Sequence, residues 1–245
     1  MKKKLVTCIA LGFLLLLGSH TTVLADKVID GEKTRTEVKD KKQVYPYQSV
    51  VRVQYLKRKK DYGTGFFVGR HHLLTNKHVV ADAKKPSKEL VVRIEGKDGK
   101  DYDYPVKKIT PAKKDSDDMT ILEIGDNPKD KGTLAAITPL KIASPKTISS
   151  VKKGDTIRAI GYPGDKPYST LWESKGKITQ IESDGSFLTF NALIYSGNSG
   201  SPLINEKNEL VGLVNASTEG KKKPKTFGFL LRPELRRFLT KTIEK

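Results

Sequence analysis

The stretch Gly197-Asn198-Ser199-Gly200-Ser201-Pro202 decides how this chain is read. Phe187-Leu188-Thr189-Phe190 precedes it and Leu203-Ile204 follows it, so it falls in a turn between apolar segments of strand length. Two glycines around one serine let the backbone fold tightly and approach a ligand closely. The serine is then exposed, with neighbouring N–H groups converging beside it. A serine nucleophile with an oxyanion hole has those needs. A plain glycine-serine turn has the same composition, so the choice rests on whether a base and an acid stand elsewhere in the chain.

The chain has four histidines, His20, His71, His72 and His78. His71 and His72 follow Gly69-Arg70 at a strand start. His78 follows Thr75-Asn76-Lys77, where an apolar strand ends and the chain turns, and is the candidate base. The orienting acid belongs at a strand start, where it can be buried. Asp118 immediately precedes Met119-Thr120-Ile121-Leu122, and Asp117 stands one step further out. Period-two alternation sends those two side chains to opposite sides, and Asp118 is the candidate. Nucleophile, base and orienting acid are then Ser199, His78 and Asp118.

Short apolar segments separated by Gly, Pro, Asp and Lys turns run through most of the chain, an all-β signature. Expected strands lie at 50–54, 64–69, 72–75, 90–94 and 119–124, with 76–80 continuing the series. After a connection at 126–150 come 156–161, 176–181, 187–190, 202–204, 210–214 and 227–230. The halves share a texture, which points to two similar β units. The tail differs: Pro233 at a start, with Leu235, Phe238 and Leu239 on one face, predicts a packed C-terminal helix.

At 245 residues and 36% hydrophobic composition the chain can bury a sizeable core. Lys2, Lys3 and Lys4, an apolar run at 9–17 too short to span a bilayer, and Val23-Leu24-Ala25 read as a signal peptide over 1–25. A secreted, extracellular chain beginning at Asp26 follows. Its charge falls from +18 to +15, because residues 1–25 hold three lysines and no acid. Cys8, the only cysteine, leaves with the signal, which excludes disulfides, thiol nucleophiles and cysteine-ligated metals. His-Glu-x-x-His is absent as well, so no metal or cofactor is expected. Residues 26–42 are charged and read as an arm or a propeptide. The basic runs at 57–60 and 221–225 stand between apolar segments, in hairpin loops without interleaved aromatics. They suit a weak attraction to anionic surfaces and no specific nucleic acid. The expected partner is a protein or peptide substrate, met by a monomer.

Six stretches taken together carry a resemblance: Gly63-Thr64-Gly65-Phe66, Thr75 to Val80, Asp118 to Ile121, Gly161 to Lys166, Trp172 to Ile178, and Gly197 to Pro202. In this order they resemble the bacterial glutamyl endopeptidases, the chymotrypsin-like branch that includes the exfoliative toxins. The resemblance runs from about Tyr45 to Leu231. It implies two six-stranded antiparallel β-barrels, here 43–140 with His78 and Asp118, and 141–245 with Ser199 and the C-terminal helix. It also implies an active site between the barrels and oxyanion donors at the N–H groups of Gly197 and Ser199. Asn215, Ala216 and Ser217 would then run beside the bound peptide.

The chain departs from that family at the primary specificity pocket. Glutamate-selective members carry a histidine fifteen positions after the nucleophile, where this chain has Val214. They carry a threonine five positions before it, here Ile194; trypsin-like enzymes place an aspartate six before it, here Leu193. A carboxylate buried among Leu193, Ile194 and Val214 would lack partners. The expected function is a secreted serine endopeptidase with an apolar primary pocket. The alternatives are a glutamate-selective endopeptidase and, in a different class, a basic binding protein or toxin with little general proteolytic activity.

Overall fold

Both faces of the segment Val50–Tyr55 are buried, and that explains how the chain is arranged. A computed structural model describes residues 32–39, 42–58, 60–114, 116–130, 132–218 and 225–244; the expected signal peptide, Cys8 included, lies outside them. In chain order the strands are β1 (Arg35–Glu37), β2 (Val50–Tyr55), β3 (Tyr62–Phe67), β4 (His72–Thr75), β5 (Leu90–Glu95), β6 (Asp101–Pro111) and β7 (Thr120–Ile124). There follow β8 (Thr156–Gly161), β9 (Trp172–Ile181), β10 (Leu188–Phe190), β11 (Pro202–Ile204), β12 (Leu210–Ser217) and β13 (Thr226–Leu230).

β2 to β7 close into an antiparallel barrel in the order β2-β3-β4-β7-β6-β5. β8 to β13 close into a second, in the order β8-β9-β10-β13-β12-β11, with β1 added outside on β9. The two six-stranded antiparallel barrels expected from the sequence are therefore present. The chain crosses between them near residue 140: the Leu140 N–H donates to Phe67 O, and that of Ala143 to Leu210 O. The C-terminal helix, Pro233–Ile243, buries Leu235 and Leu239.

Alternation along the strands builds two cores at once. Val51, Val53, Phe67, Leu73 and Leu122 fill the first barrel. Their neighbours Val50, Phe66, Leu74 and Ile121 turn outward and share one cluster with Ile160, Leu203 and Val214 of the second barrel. Pairs such as Phe66-Phe67, Leu73-Leu74 and Ile121-Leu122 thus stand side by side because one residue faces inward and the other faces the seam.

The structure differs from the sequence expectation in four places. β6 was not anticipated: only Tyr104 and Val106 among its residues are fully buried, and charged residues such as Asp101 and Asp103 disguise it. Those acids are paired across the sheet, Asp103 with Arg93 and Asp101 with Arg52. Residues 76–80 are no strand continuation; His78–Val80 forms a single 3-10 turn. β9 begins at Trp172, earlier than expected. The charged segment 26–42 is built into the fold across residues 32–39: Arg35↔Ser174, Thr36↔Glu173 and Glu37↔Trp172 pair with β9, and Val38 is buried. Its charges concealed a strand because Arg35 carries its own counter-ion, Asp165.

The first basic run lies in the β2–β3 hairpin, as expected, where Arg58 pairs with Asp61 and Asp82. Of the second, 221–224 lie outside the described residues.

The seam makes a prediction. Leu74 is 0% exposed, and Leu74→Ala opens a cavity between the barrels, so urea unfolding is expected to show a loss of about 2–5 kcal/mol.

Candidate active site

His78 stands at the first position of the turn that follows β4. The Asp118 carboxylate reaches it twice: Oδ2 lies 2.6 Å from His78 Nδ1, and Oδ1 accepts the His78 backbone N–H at 3.1 Å. Asn76 holds the same turn from behind, donating through Nδ2 to Asp118 O at 2.7 Å. Asp117 turns the other way, in a tight turn before β7 where the Met119 N–H donates to Asp117 O at 2.7 Å, and accepts from Arg232 Nη2 at 2.7 Å. The imidazole is half exposed while its acid is largely covered, at 50% and 22% side-chain exposure, so a substrate meets the ring and not the carboxylate. Burial works against ionisation of Asp118. The hydrogen bonds from the His78 ring and from the backbone N–H groups of His78 and Lys77 outweigh it and hold the carboxyl below its ordinary 3.8.

Ser199 is half-buried, in a turn that two left-handed glycines shape. Gly197 has φ +90° and Gly200 φ +83°. A Cβ on Gly197 would strike the carbonyl of Tyr162 and come 2.9 Å from the Tyr62 ring. One on Gly200 would strike Thr64 O and the Thr75 hydroxyl, 3.1 Å from Asn76 N. Only glycine lets the turn sit this close to the end of β4.

Thr64 secures that approach. Its N–H donates to Ser199 O at 2.9 Å, its hydroxyl donates to Gly197 O at 2.8 Å, and the same hydroxyl accepts the Tyr162 N–H at 3.1 Å. Thr64 O in turn accepts from Thr75 Oγ1 at 2.7 Å. The side chain and backbone of one residue thus join the Ser199 turn of the second barrel to β4, the strand that leads to His78. Among the described residues, the backbone N–H groups of Gly197 and Ser199 have no protein acceptor, unlike those of Asn198, Gly200 and Ser201.

The remaining sequence candidates divide. Asn215 sits at the irregularity in β12 between Val214 and Ala216, and its Nδ2 donates to Asp118 Oδ2 at 2.7 Å. A bulge re-aims one side chain out of the alternation, here onto the acid. Ala216 and Ser217 lie in the ladder opposite Phe227 and Thr226. Leu193, Ile194 and Val214 are closed in, at 2%, 2% and 0% exposure. The stretch that carries the first two is tied to β13 by Thr226 Oγ1 donating to Ala192 O at 2.6 Å, and to the N-terminal segment by the Leu193 N–H donating to Thr34 Oγ1 at 3.2 Å. His71 and His72 stand apart from this site; His71 faces Asp126, and burial lowers the pKa of His72.

Sequence reasoning missed Thr64, the Asn215 contact with the acid, and the Arg232 partner of Asp117. A polar residue flanked by glycines inside an apolar strand was the signal for Thr64. It is 0% exposed, and buried hydroxyls are almost always bonded.

Comparisons with known proteins place this site in context. The trypsin-like peptidase domain family matches residues 63–213. Two glutamyl endopeptidases of Staphylococcus epidermidis, one from strain ATCC 12228, are 34% identical over 162 residues, covering 65% of this chain. The match spans about half, 55%, of the length of each of those relatives. A solved Glu endopeptidase in complex with MPD superposes with a TM-score of 0.70 at 20% identity, covering 89% of this chain and all of that one. The inactive form of the Rv3671c protease of M. tuberculosis H37Rv gives 0.54 at 24% identity, over 79% of this chain and 88% of that one. These two likenesses are of fold.

The depressed Asp118 value sets a pH dependence. A carboxylate whose folded pKa lies below its unfolded one adds stability above the unfolded value, and loses it as pH falls through the folded one. The stability gap between wild type and Asp118→Asn is therefore expected to be constant above about pH 5 and to close below the ordinary 3.8. Melting temperatures of both proteins between pH 2 and 7 measure it.

Proposed function

The chain belongs to the trypsin-like peptidase domain family, and from that premise we propose that it is a secreted serine endopeptidase working through His78, Asp118 and Ser199. One observation carries the reading: the 2.6 Å contact of His78 with Asp118, in a turn tied through Thr75 and Thr64 to the Ser199 backbone. Ser199 Oγ attacks the peptide carbonyl. His78 takes its proton and passes it to the leaving amine. Asp118 holds Nδ1 protonated, leaving Nε2 as the base, and stabilises the imidazolium. Asn215 helps to hold the acid in place. The N–H groups of Gly197 and Ser199 receive the oxyanion, and the acyl-enzyme is then hydrolysed.

For specificity, the reading is an apolar or aromatic residue before the scissile bond, in the region of Leu193, Ile194 and Val214. The apolar character of all three supports it. Glutamate selectivity is the second reading, favoured by the name that the Staphylococcus epidermidis relatives carry. Among the described residues no helix is long and apolar enough to cross a membrane. Secretion rests on the sequence of residues 1–25.

A cleavage profile tests both parts. Protein beginning at Asp26 and its Ser199→Ala variant are incubated with a proteome-derived peptide mixture, and new ends are read by mass spectrometry. Ser199→Ala is expected to lose activity on the order of a millionfold, to background. Cuts after apolar or aromatic residues support the pocket; cuts confined to glutamate replace it with the second reading. Wild type that cuts nothing and takes up no serine-reactive fluorophosphonate removes the enzyme reading in favour of a binding protein.

A further inference from the structure

Among the described residues of the N-terminal segment, Arg35 is the most deeply placed cation, with a side chain 0% exposed. Its guanidinium grips Asp165 with two parallel bonds, Nη1 to Oδ2 at 2.7 Å and Nη2 to Oδ1 at 2.8 Å. It also lies 5.6 Å from the Trp172 ring centre and 5.2 Å from that of Tyr195. Asp165 belongs to the connection between β8 and β9. A second buried guanidinium holds the flanks of that connection from the first barrel: Arg52, 2% exposed, lies 5.7 Å from the Tyr162 ring and 4.7 Å from that of Tyr168. Tyr168 is fixed further by its hydroxyl, which donates to Gln54 Oε1 at 2.8 Å.

Between these two clamps lies Gly164, whose N–H donates to Ser196 O at 2.6 Å. A peptide unit is planar, and in its trans form the C=O and N–H point opposite ways. Holding the Ser196 carbonyl therefore sets the direction of the Gly197 N–H, which points away from Gly164. Tyr162 O bears on the other side of the same residue, since any Cβ on Gly197 would collide with it.

We propose that Arg35 is a positioning residue for the oxyanion hole. By fixing Asp165 it keeps the Gly164 N–H on Ser196 O, and so keeps the Gly197 N–H aimed at the reacting carbonyl. The inference rests on the reading of Gly197 and Ser199 as oxyanion donors. It makes β1, which contributes no atom to the chemistry, a determinant of the rate: the N-terminal segment orders the hole through an internal arginine.

The test compares wild type with Arg35→Ala, Asp165→Asn and the double variant. On a peptide that wild type cleaves, kcat and KM are measured, together with the affinity for the matching peptide aldehyde. Ser199 adds to the aldehyde carbon, and the aldehyde oxygen then occupies the oxyanion hole. Each single variant is expected to lose about tenfold to a hundredfold in kcat, with KM within about twofold and aldehyde affinity falling by the same factor as kcat. The double variant is expected to lose no more than either single one, because both break one link. Asp165→Asn keeps the side-chain shape and carries the test where Arg35→Ala fails to fold. The proposal is overturned by kcat within twofold of wild type in the folded variants, by a loss that falls on KM alone, or by additive losses. Wild type that neither cleaves nor takes up the fluorophosphonate overturns this inference and the enzyme reading together; wild type that does both, with variants indifferent to Arg35, overturns this inference alone.

Discussion

Thr64 ties the Ser199 turn to the first barrel. The serine turn belongs to one barrel and the histidine to the other, so neither barrel alone sets the distance between them. Thr64 sits on the first barrel's strand and spends its N–H and its hydroxyl on Ser199 O, Gly197 O and the Tyr162 N–H, all in the second half of the chain. These bonds lie in a region closed to water, where an unmade hydrogen bond costs far more than a made one returns. A small sliding of the barrels would break several at once. The apolar packing around Phe66, Leu74 and Ile121 keeps that region dry and so protects the alignment.

Arginine marks the joints of this molecule. Arg35 joins β1 to the β8–β9 connection, Arg52 joins β2 to β6 and to the tyrosines of that same connection, and Arg232 joins the start of the C-terminal helix to the Asp118 turn. Arg158 on β8 ties Glu173 of β9 and Asn208 together. A guanidinium suits such places because it can bond a carboxylate through two nitrogens while lying flat on a ring; an ammonium cannot do both. A strongly basic composition therefore describes two populations. Exposed lysines solvate the surface, and a few buried arginines lock elements together.

Much of the site was legible because each of its principal residues stands where a strand ends or begins. Ser199 lies between two glycines, His78 where β4 gives way to a turn, and Asp118 just before β7. Opposite orientations for Asp117 and Asp118 were expected from strand alternation; the structure gives each its own partner, but through a turn ahead of β7. What stayed hidden depended on contacts distant in the chain. Asn215 reads as part of a strand, and only the irregularity in β12 turns it onto Asp118. β6 and β1 were hidden by charge, because acids that are paired across a sheet look the same in sequence as acids in a loop. Thr64 was inside a recognised motif, but nothing in its neighbours says that two of its partners, Gly197 and Ser199, lie more than 130 residues later.

The two acids at 117 and 118 also carry a consequence for biosynthesis. Asp118 finds its histidine forty residues earlier, whereas the partner of Asp117 comes 115 residues later. Domains fold in order as a chain emerges from the ribosome, the N-terminal one first. The first barrel thus emerges with base and acid in hand, while Asp117, 5% exposed in the finished protein, still lacks its cation. The cation that neutralises its turn, Arg232, is made after Ser199 and Asn215. A nascent chain accordingly passes through an interval in which Asp117 has been made and its cation has not.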